Sequence, residues 1–168
     1  MTVERIDPRY VSPERTALRE WLDYQRATLE LKCEGLDRVG LIARPVPTSL
    51  LSLQGLVRHM AEVERYWFQR ALAGREVAPL YYDDDQHPDG DFELVDDADW
   101  PTDLATWRGE CDHARAAEAA AASLDVTGTR RGQPVDLRWI MIHMIEEYAR
   151  HNGHADLIRE MVDGTVGN

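Results

Sequence analysis

The chain has 168 residues, and its 31 acidic and 19 basic side chains give a formal net charge of −12. Phosphate backbones and anionic lipid surfaces repel such a molecule, so we expect it to bind neither nucleic acids nor membranes. Its length and its 43% of apolar residues fit one folded domain over residues 1–168, with its own hydrophobic core.

Four segments carry apolar side chains three, four and seven residues apart, the spacing of an amphipathic helix. The first predicted helix starts at residues 12–14, where a serine cap, a proline and an acid follow one another, and it runs to about Leu36. The second starts at a serine cap, either Ser49 or Ser52, and ends near Gly74.

Residues 75–100 are acidic and rich in turn-forming residues, which predicts a long loop of the kind that often carries function or covers a site. The remaining predicted elements are a third helix over about 101–124, a connection over 125–134 and a fourth helix over about 135–162. No segment shows the alternation typical of strands. We therefore predict an all-α fold, a four-helix bundle.

The fourth helix carries His143, Glu147 and His151 one turn apart on one side, with His154 in the same narrow arc at the edge of the buried face. Such groups beside apolar surface need a partner, and a metal ion is a suitable one. Because two ligands bind weakly, a third is needed, and His59 points inward from the second helix among bulky apolar residues. The pattern predicts a metal held by His59, Glu147 and His151, with an open coordination position.

Each part of this pattern also has a simpler explanation. A single inward histidine such as His59 is more often a hydrogen-bonded core residue than a metal ligand. The pair formed by Glu147 and His151 is equally compatible with a solvated helix face. The metal hypothesis therefore depends on the combination.

A second candidate metal site lies in the acidic segment, where residues 85–96 approximate the calcium loop of an EF-hand. The match is degraded, because His87 stands at the third place, Pro88 at the fourth and Asp96 at the twelfth. A solvated acidic loop is the default interpretation.

Two segments resemble the DinB-like superfamily: residues 56–67, LVRHMAEVERYW, and residues 138–160, RWIMIHMIEEYARHNGHADLIRE. The chain looks closest to a branch of unknown function common in actinobacteria. The resemblance implies an up-down-down-up four-helix bundle whose metal is held by His59, Glu147 and His151. Many members have histidine in place of Glu147, whereas the related mycothiol-dependent maleylpyruvate isomerases use His, Glu and His as here.

Further residues are candidates for the chemistry. By resemblance, His143 and His154 orient a ligand, carry protons or add a ligand, and Tyr66 is a third catalytic candidate. Glu62, Arg70 and Tyr148 are further candidates for the cavity, and Tyr66 and Tyr148 are equally compatible with ordinary amphipathic core positions. Cys33 and Cys111 lack a histidine placed to activate them and are expected to be buried small residues.

DinB-like enzymes transfer or isomerise groups with the help of small thiols such as mycothiol or bacillithiol. The resemblance therefore implies a divalent metal (Zn, Ni, Fe or Mn), mycothiol as a co-substrate and a small-molecule substrate. Two alternatives remain: a metal-dependent hydrolase with Glu62 or His143 as base, and a non-catalytic protein that binds a metal or a small molecule. With two cysteines and no signal-peptide pattern, we expect a cytoplasmic monomer or homodimer.

Overall fold

A computed structural model describes residues 3–167 and is predominantly helical, in agreement with the predicted all-α class. The helices are α1 (Glu14–Cys33), α2 (Arg38–Ile42), α3 (Leu53–Glu64) with its π-helical continuation (Arg65–Leu72), α4 (Gly90–Glu93), α5 (Trp100–Ala120) and α6 (Leu137–Asp163). The four long ones match the predicted helices, whereas the short helices α2 and α4 were not predicted. No helix within residues 3–167 is long and apolar enough to cross a membrane.

Side-chain caps fix where four of these helices begin. Asp37 caps α2, Ser52 caps α3, Asp99 caps α5 and Asp136 caps α6, and each accepts a hydrogen bond from a backbone N–H that has no partner inside the helix. The predicted cap at Ser12 is wrong, since α1 begins one residue after Pro13 and no side chain caps it.

Residues 127–136 form a hairpin, so the prediction of a loop without strands was wrong there. Strands β1 (Thr127–Arg130) and β2 (Gln133–Asp136) pair antiparallel. The two turn residues, Arg131 and Gly132, have φ of 49° and 78°, as a tight two-residue hairpin requires. The strands are short and mainly exposed, so they carry no apolar alternation that a sequence pattern would reveal.

The core lies between the four long helices, with α1 packed against α6 and α3 against α5. Its fully buried members include Leu29, Leu53, Leu56, Met60, Leu137, Ile140 and Met144. The acidic segment 75–100 is more ordered than a plain loop, because α4 within it packs on α3. That contact brings Asp91 and Phe92 to the side of α3 that carries His59.

Candidate metal centre

Three side chains from two helices come together at one end of the core. His59 lies on α3, and Glu147 and His151 lie one turn apart on α6. Their potential ligand atoms are all within 4.8 Å of one another. Glu147 Oε1 lies 3.6 Å from His59 Nε2 and 3.4 Å from His151 Nε2. The structure thus brings together the three residues that the sequence singled out.

The spacing of these atoms fits a metal ion. Two atoms that each lie 2.0–2.1 Å from a tetrahedral zinc ion are separated by about 3.3 Å, close to the separations found here. His59 Nε2 is buried and has no hydrogen-bond partner within residues 3–167. It faces Glu147 Oε1 at 3.6 Å, beyond hydrogen-bond range, and a cation between the three side chains would give both atoms a closer partner.

Asp91 holds the His59 ring from its other side. Its Oδ2 lies 2.8 Å from His59 Nδ1, and the ring of Phe92 stacks on the imidazole at a centroid distance of 5.1 Å. A hydrogen bond at Nδ1 leaves the lone pair of Nε2 for a metal, the arrangement in which a carboxylate orients a histidine ligand. Sequence reasoning missed Asp91, because it lies 32 residues from His59 in a segment without periodicity.

The surroundings set the charges of the three groups. Burial lowers the pKa of His59, but the carboxylates of Asp91 and Glu147 raise it more, to about 9. The nearby His59 imidazole lowers the pKa of Glu147 to about 2. Burial and the charge on His59 lower the pKa of His151 to about 4. At neutral pH Glu147 is therefore ionised and His151 neutral, the forms that bind metals, whereas His59 must exchange a proton for the cation.

His154 and His143 flank this group on α6. The Nδ1 atoms of His154 and His151 lie 3.4 Å apart, so His154 contacts the ring nitrogen of His151 that does not face Glu147. His143 stacks on Trp139 and meets the edge of Trp67, at centroid distances of 5.0 and 4.7 Å. It belongs to a second group, with Glu146 and Glu147, that is more exposed than the first.

A cavity of about 340 Å³, here named the loop cavity, opens beside His59. Its lining combines aromatic and acidic side chains: Tyr66, Trp67, Tyr82, Phe92, Glu62, Asp84, Asp89 and Asp91. Tyr66 thus lies where the sequence placed it. Three protein ligands would leave a bound metal with an open position. Of the three clustered residues, His59 lines the loop cavity.

Comparison with known proteins gives the family. The model of mycothiol-S-transferases matches residues 17–164. The chain belongs to the mycothiol-S-transferase family. This family is part of the DinB-like superfamily, so the resemblance noted in the sequence is confirmed. Membership of the mycothiol-S-transferase family implies that the protein acts on small molecules. A search of curated proteins found no match.

Two residues expected in the cavity of this mycothiol-S-transferase family member lie outside it. Tyr148 is fully buried on another face of α6, where its hydroxyl donates to Glu64 and accepts from Trp107 Nε1. Glu64 also accepts hydrogen bonds from two nitrogens of the Arg26 guanidinium, at 2.7 and 2.8 Å. Arg70 is exposed and lies over the outer side of the Tyr66 ring.

Glu62 lines the loop cavity as expected, but its carboxylate has another task. It accepts hydrogen bonds from the backbone N–H groups of Leu80 and Tyr81, at 2.5 and 2.6 Å. These bonds fix the acidic segment against α3. Burial raises the pKa of Glu62, and the backbone donors oppose that shift. Both bonds end on Oε1 of Glu62.

The other sequence candidates have structural explanations in this mycothiol-S-transferase family member. Cys33 and Cys111 are buried and unpaired, and burial raises the pKa of the Cys33 thiol to about 12. Residues 85–96 do not form the cluster that a calcium loop requires, since no group of three metal-binding side chains in the described chain comes from them. Asp91 bonds His59, and Asp96 pairs with Arg44.

Proposed function

We propose that the chain is a divalent-metal-dependent S-transferase that joins a small thiol, with mycothiol as the natural candidate, to small electrophiles. His59, Glu147 and His151 hold the metal. The observation that carries this proposal is the buried, unpartnered Nε2 of His59, which faces the other two ligand groups beside the loop cavity. The family supports the transfer of a thiol group.

The proposed architecture is a single-domain four-helix bundle with up-down-down-up topology. Along α1 and α6 the residue numbers of contacting partners increase together, and the same holds along α3 and α5. Between α3 and α6 the residue number of one partner increases while that of the other decreases. The pairs are Glu14–Arg138 and Lys32–Asp156, then Gln54–Asp103 and Arg65–Glu110, then His59–His151 and Trp67–His143. The parallel pairs α1–α6 and α3–α5 and the antiparallel pair α3–α6 support this topology.

The metal site would generate the nucleophile. When bound, a divalent cation lowers the pKa of a thiol at its open position, so that the thiol is ionised at neutral pH. Asp91 keeps the His59 ring oriented, and His154 does the same for His151. The aromatic walls of the loop cavity would pack against the bound thiol.

The proposed transfer conserves atoms and charge. The thiol loses its proton, its sulfur forms a bond to an electrophilic carbon of the acceptor, and the leaving group departs with the electron pair of the broken bond. We assign the proton transfer to His143, because burial lowers its pKa and keeps it neutral at neutral pH. Its ring contacts Trp67, which lines the loop cavity. Tyr66 would donate a hydrogen bond to the substrate there.

The compartment proposed for this reaction is the cytoplasm, where small thiols are kept reduced. Both cysteines are unpaired, which fits a reducing environment.

A comparison of turnover in matched variants tests the proposal. The protein is purified without a His tag, loaded with Zn, Ni, Fe or Mn, and incubated with mycothiol and a panel of electrophiles. We expect thiol-dependent product that disappears in His151→Ala but remains in His113→Ala, which removes a half-exposed histidine of α5. Circular dichroism checks that both variants fold.

Two results would contradict the proposal. Hydrolysis of esters or amides without any thiol would favour a hydrolase. Metal binding that raises the melting temperature, with no turnover of any electrophile, would favour a protein that binds a metal without catalysis.

A further inference from the structure

A second cavity, here named the hairpin cavity, lies between the β1–β2 hairpin and the first turn of α6 and has a volume of about 410 Å³. Its polar lining consists of Arg130, Arg131, Gln133 and Asp136, and Trp139 forms an apolar wall. No residue of the proposed metal site lines it, so it is separate from the loop cavity.

The hairpin cavity carries positive charge on a protein whose net charge is −12. Neither Arg130 nor Arg131 forms an ion pair with any described residue, although most arginines of the chain do. The one acid in the lining, Asp136, uses its carboxylate to accept the backbone N–H of Trp139 at 2.7 Å. The cavity therefore presents two guanidinium groups, which form no ion pair, and one carboxylate, which leaves its lining with a net positive charge.

The fold holds the hairpin that carries the two arginines. The guanidinium of Arg130 lies 4.9 Å from the ring centre of Trp67, within cation–π range. Arg131 occupies a turn position with φ of 49°. At Gly128 the hairpin lies so close to α3 that a Cβ atom would be 2.0 Å from the carbonyl oxygen of Ala71. The hairpin is thus seated on the π-helical segment, which limits how far its backbone can move.

Aromatic contacts connect the hairpin cavity to the proposed metal site. Trp139 lies 5.2 Å from Trp67, which also lines the loop cavity, and it stacks on His143. Trp139, His143 and Glu147 occupy successive turns of α6, so Trp139 lies about 12 Å along the helix from Glu147. A planar molecule lying along Trp139 and His143 would reach from the arginines toward the proposed metal site.

We propose that the hairpin cavity binds the carboxylate of a planar, conjugated acid that carries a leaving group on an electrophilic carbon and is the acceptor substrate of the transfer. The guanidinium groups of Arg130 and Arg131 bind the carboxylate, and Trp139 packs on the conjugated part. The acidic lining of the loop cavity repels such an anion, so the hairpin cavity is the better site for the carboxylate of the acceptor. The acceptor role rests on the proposed function, whereas the binding of the anion does not.

Calorimetric titration of the protein without metal or thiol tests the binding site. Cinnamate and benzoate are compared with cinnamamide and benzamide, which have the same shape without the charge. We expect each acid to bind at least tenfold more tightly than its amide. Arg131→Gln should reduce the ratio of acid affinity to amide affinity about tenfold. Arg75→Gln, which removes an exposed arginine elsewhere, should leave this ratio unchanged.

Equal binding of acid and amide, or unchanged binding by a folded Arg131→Gln variant, overturns the proposal. Arg130→Gln is the second variant, because it also removes the contact with Trp67. The titration succeeds or fails whether or not the protein turns over any substrate. Turnover that prefers neutral electrophiles would overturn the acceptor assignment and leave the S-transferase proposal intact.

Discussion

Asp91 Oδ2 lies 2.8 Å from His59 Nδ1, so a residue of the acidic segment 75–100 fixes the histidine on α3 that faces Glu147 and His151. In Asp91→Asn the ring keeps a hydrogen-bond acceptor but loses the charge behind it. We expect a 10- to 100-fold weaker affinity for zinc, the usual cost of removing the carboxylate that orients a histidine ligand. Competition with a coloured chelator measures it.

Asp85→Asn is the matched control for that prediction, because Asp85 is exposed in the same segment and does not touch His59. Equal affinities in wild type, Asp91→Asn and Asp85→Asn would mean that Asp91 does not support the metal site.

Zinc should raise the stability of the wild-type protein. A ligand that binds only the folded state at 100 times its dissociation constant adds about 2.7 kcal/mol to the free energy of unfolding. His151→Ala, which removes a proposed ligand, should show almost none of this gain. Thermal unfolding with and without zinc measures the difference, and the same gain in both proteins would argue against His151 as a ligand.

The sequence could predict the three clustered residues because two of them lie four apart on one helix and the third lies on an apolar helix face. The sequence could not predict the role of Asp91, since only the packing of α4 on α3 places it beside His59. The hairpin was missed for a related reason: its strands are exposed, and the positive φ of Arg131 has no sequence signature.

The misplacement of Tyr148 was avoidable. Adjacent residues in a helix point about 100° apart, so Tyr148 does not share the direction of Glu147. Its partners Glu64 and Arg26 form a buried ion pair, which a one-dimensional pattern of apolar residues does not reveal.

The buried pair between Arg26 and Glu64 should be costly to break on one side. In Arg26→Met the carboxylate of Glu64, which is fully buried, loses its bidentate partner. We expect a loss of about 3–5 kcal/mol in the free energy of unfolding, because an unpaired charge then remains in the core. Urea denaturation measures it.

The double variant Arg26→Met with Glu64→Leu is the control, since it removes both charges together. It should recover most of the lost stability. If the double variant is as unstable as the sum of the single variants, the pair is not the source of the effect.

Glu118 should make stability depend on pH. Burial raises the pKa of this carboxyl, but Arg19 and Arg15 lower it more, so its folded pKa lies below the ordinary value. A depressed pKa stabilises the fold above the unfolded pKa of about 4.3, and this contribution is lost as the pH falls through the folded pKa. Relative to Glu118→Gln, the wild type should gain about 1–2 kcal/mol at pH 7.

Chemical denaturation between pH 2 and pH 7 follows that difference, which should shrink steadily below about pH 4.3. Glu76→Gln provides the control, because Glu76 is exposed and pairs with no basic side chain in the described chain. A difference between wild type and Glu118→Gln that does not change with pH would rule out ionisation of Glu118 as its cause.

The central claim is that His59, Glu147 and His151 bind one divalent metal ion, and elemental analysis of protein purified without added metal or a His tag tests it most directly. The account predicts about one metal ion per chain in the wild type and in His113→Ala, and almost none in a folded His59→Ala variant. A folded His59→Ala variant with the metal content of the wild type would contradict it, as would a wild type that takes up no divalent metal even when metal is supplied.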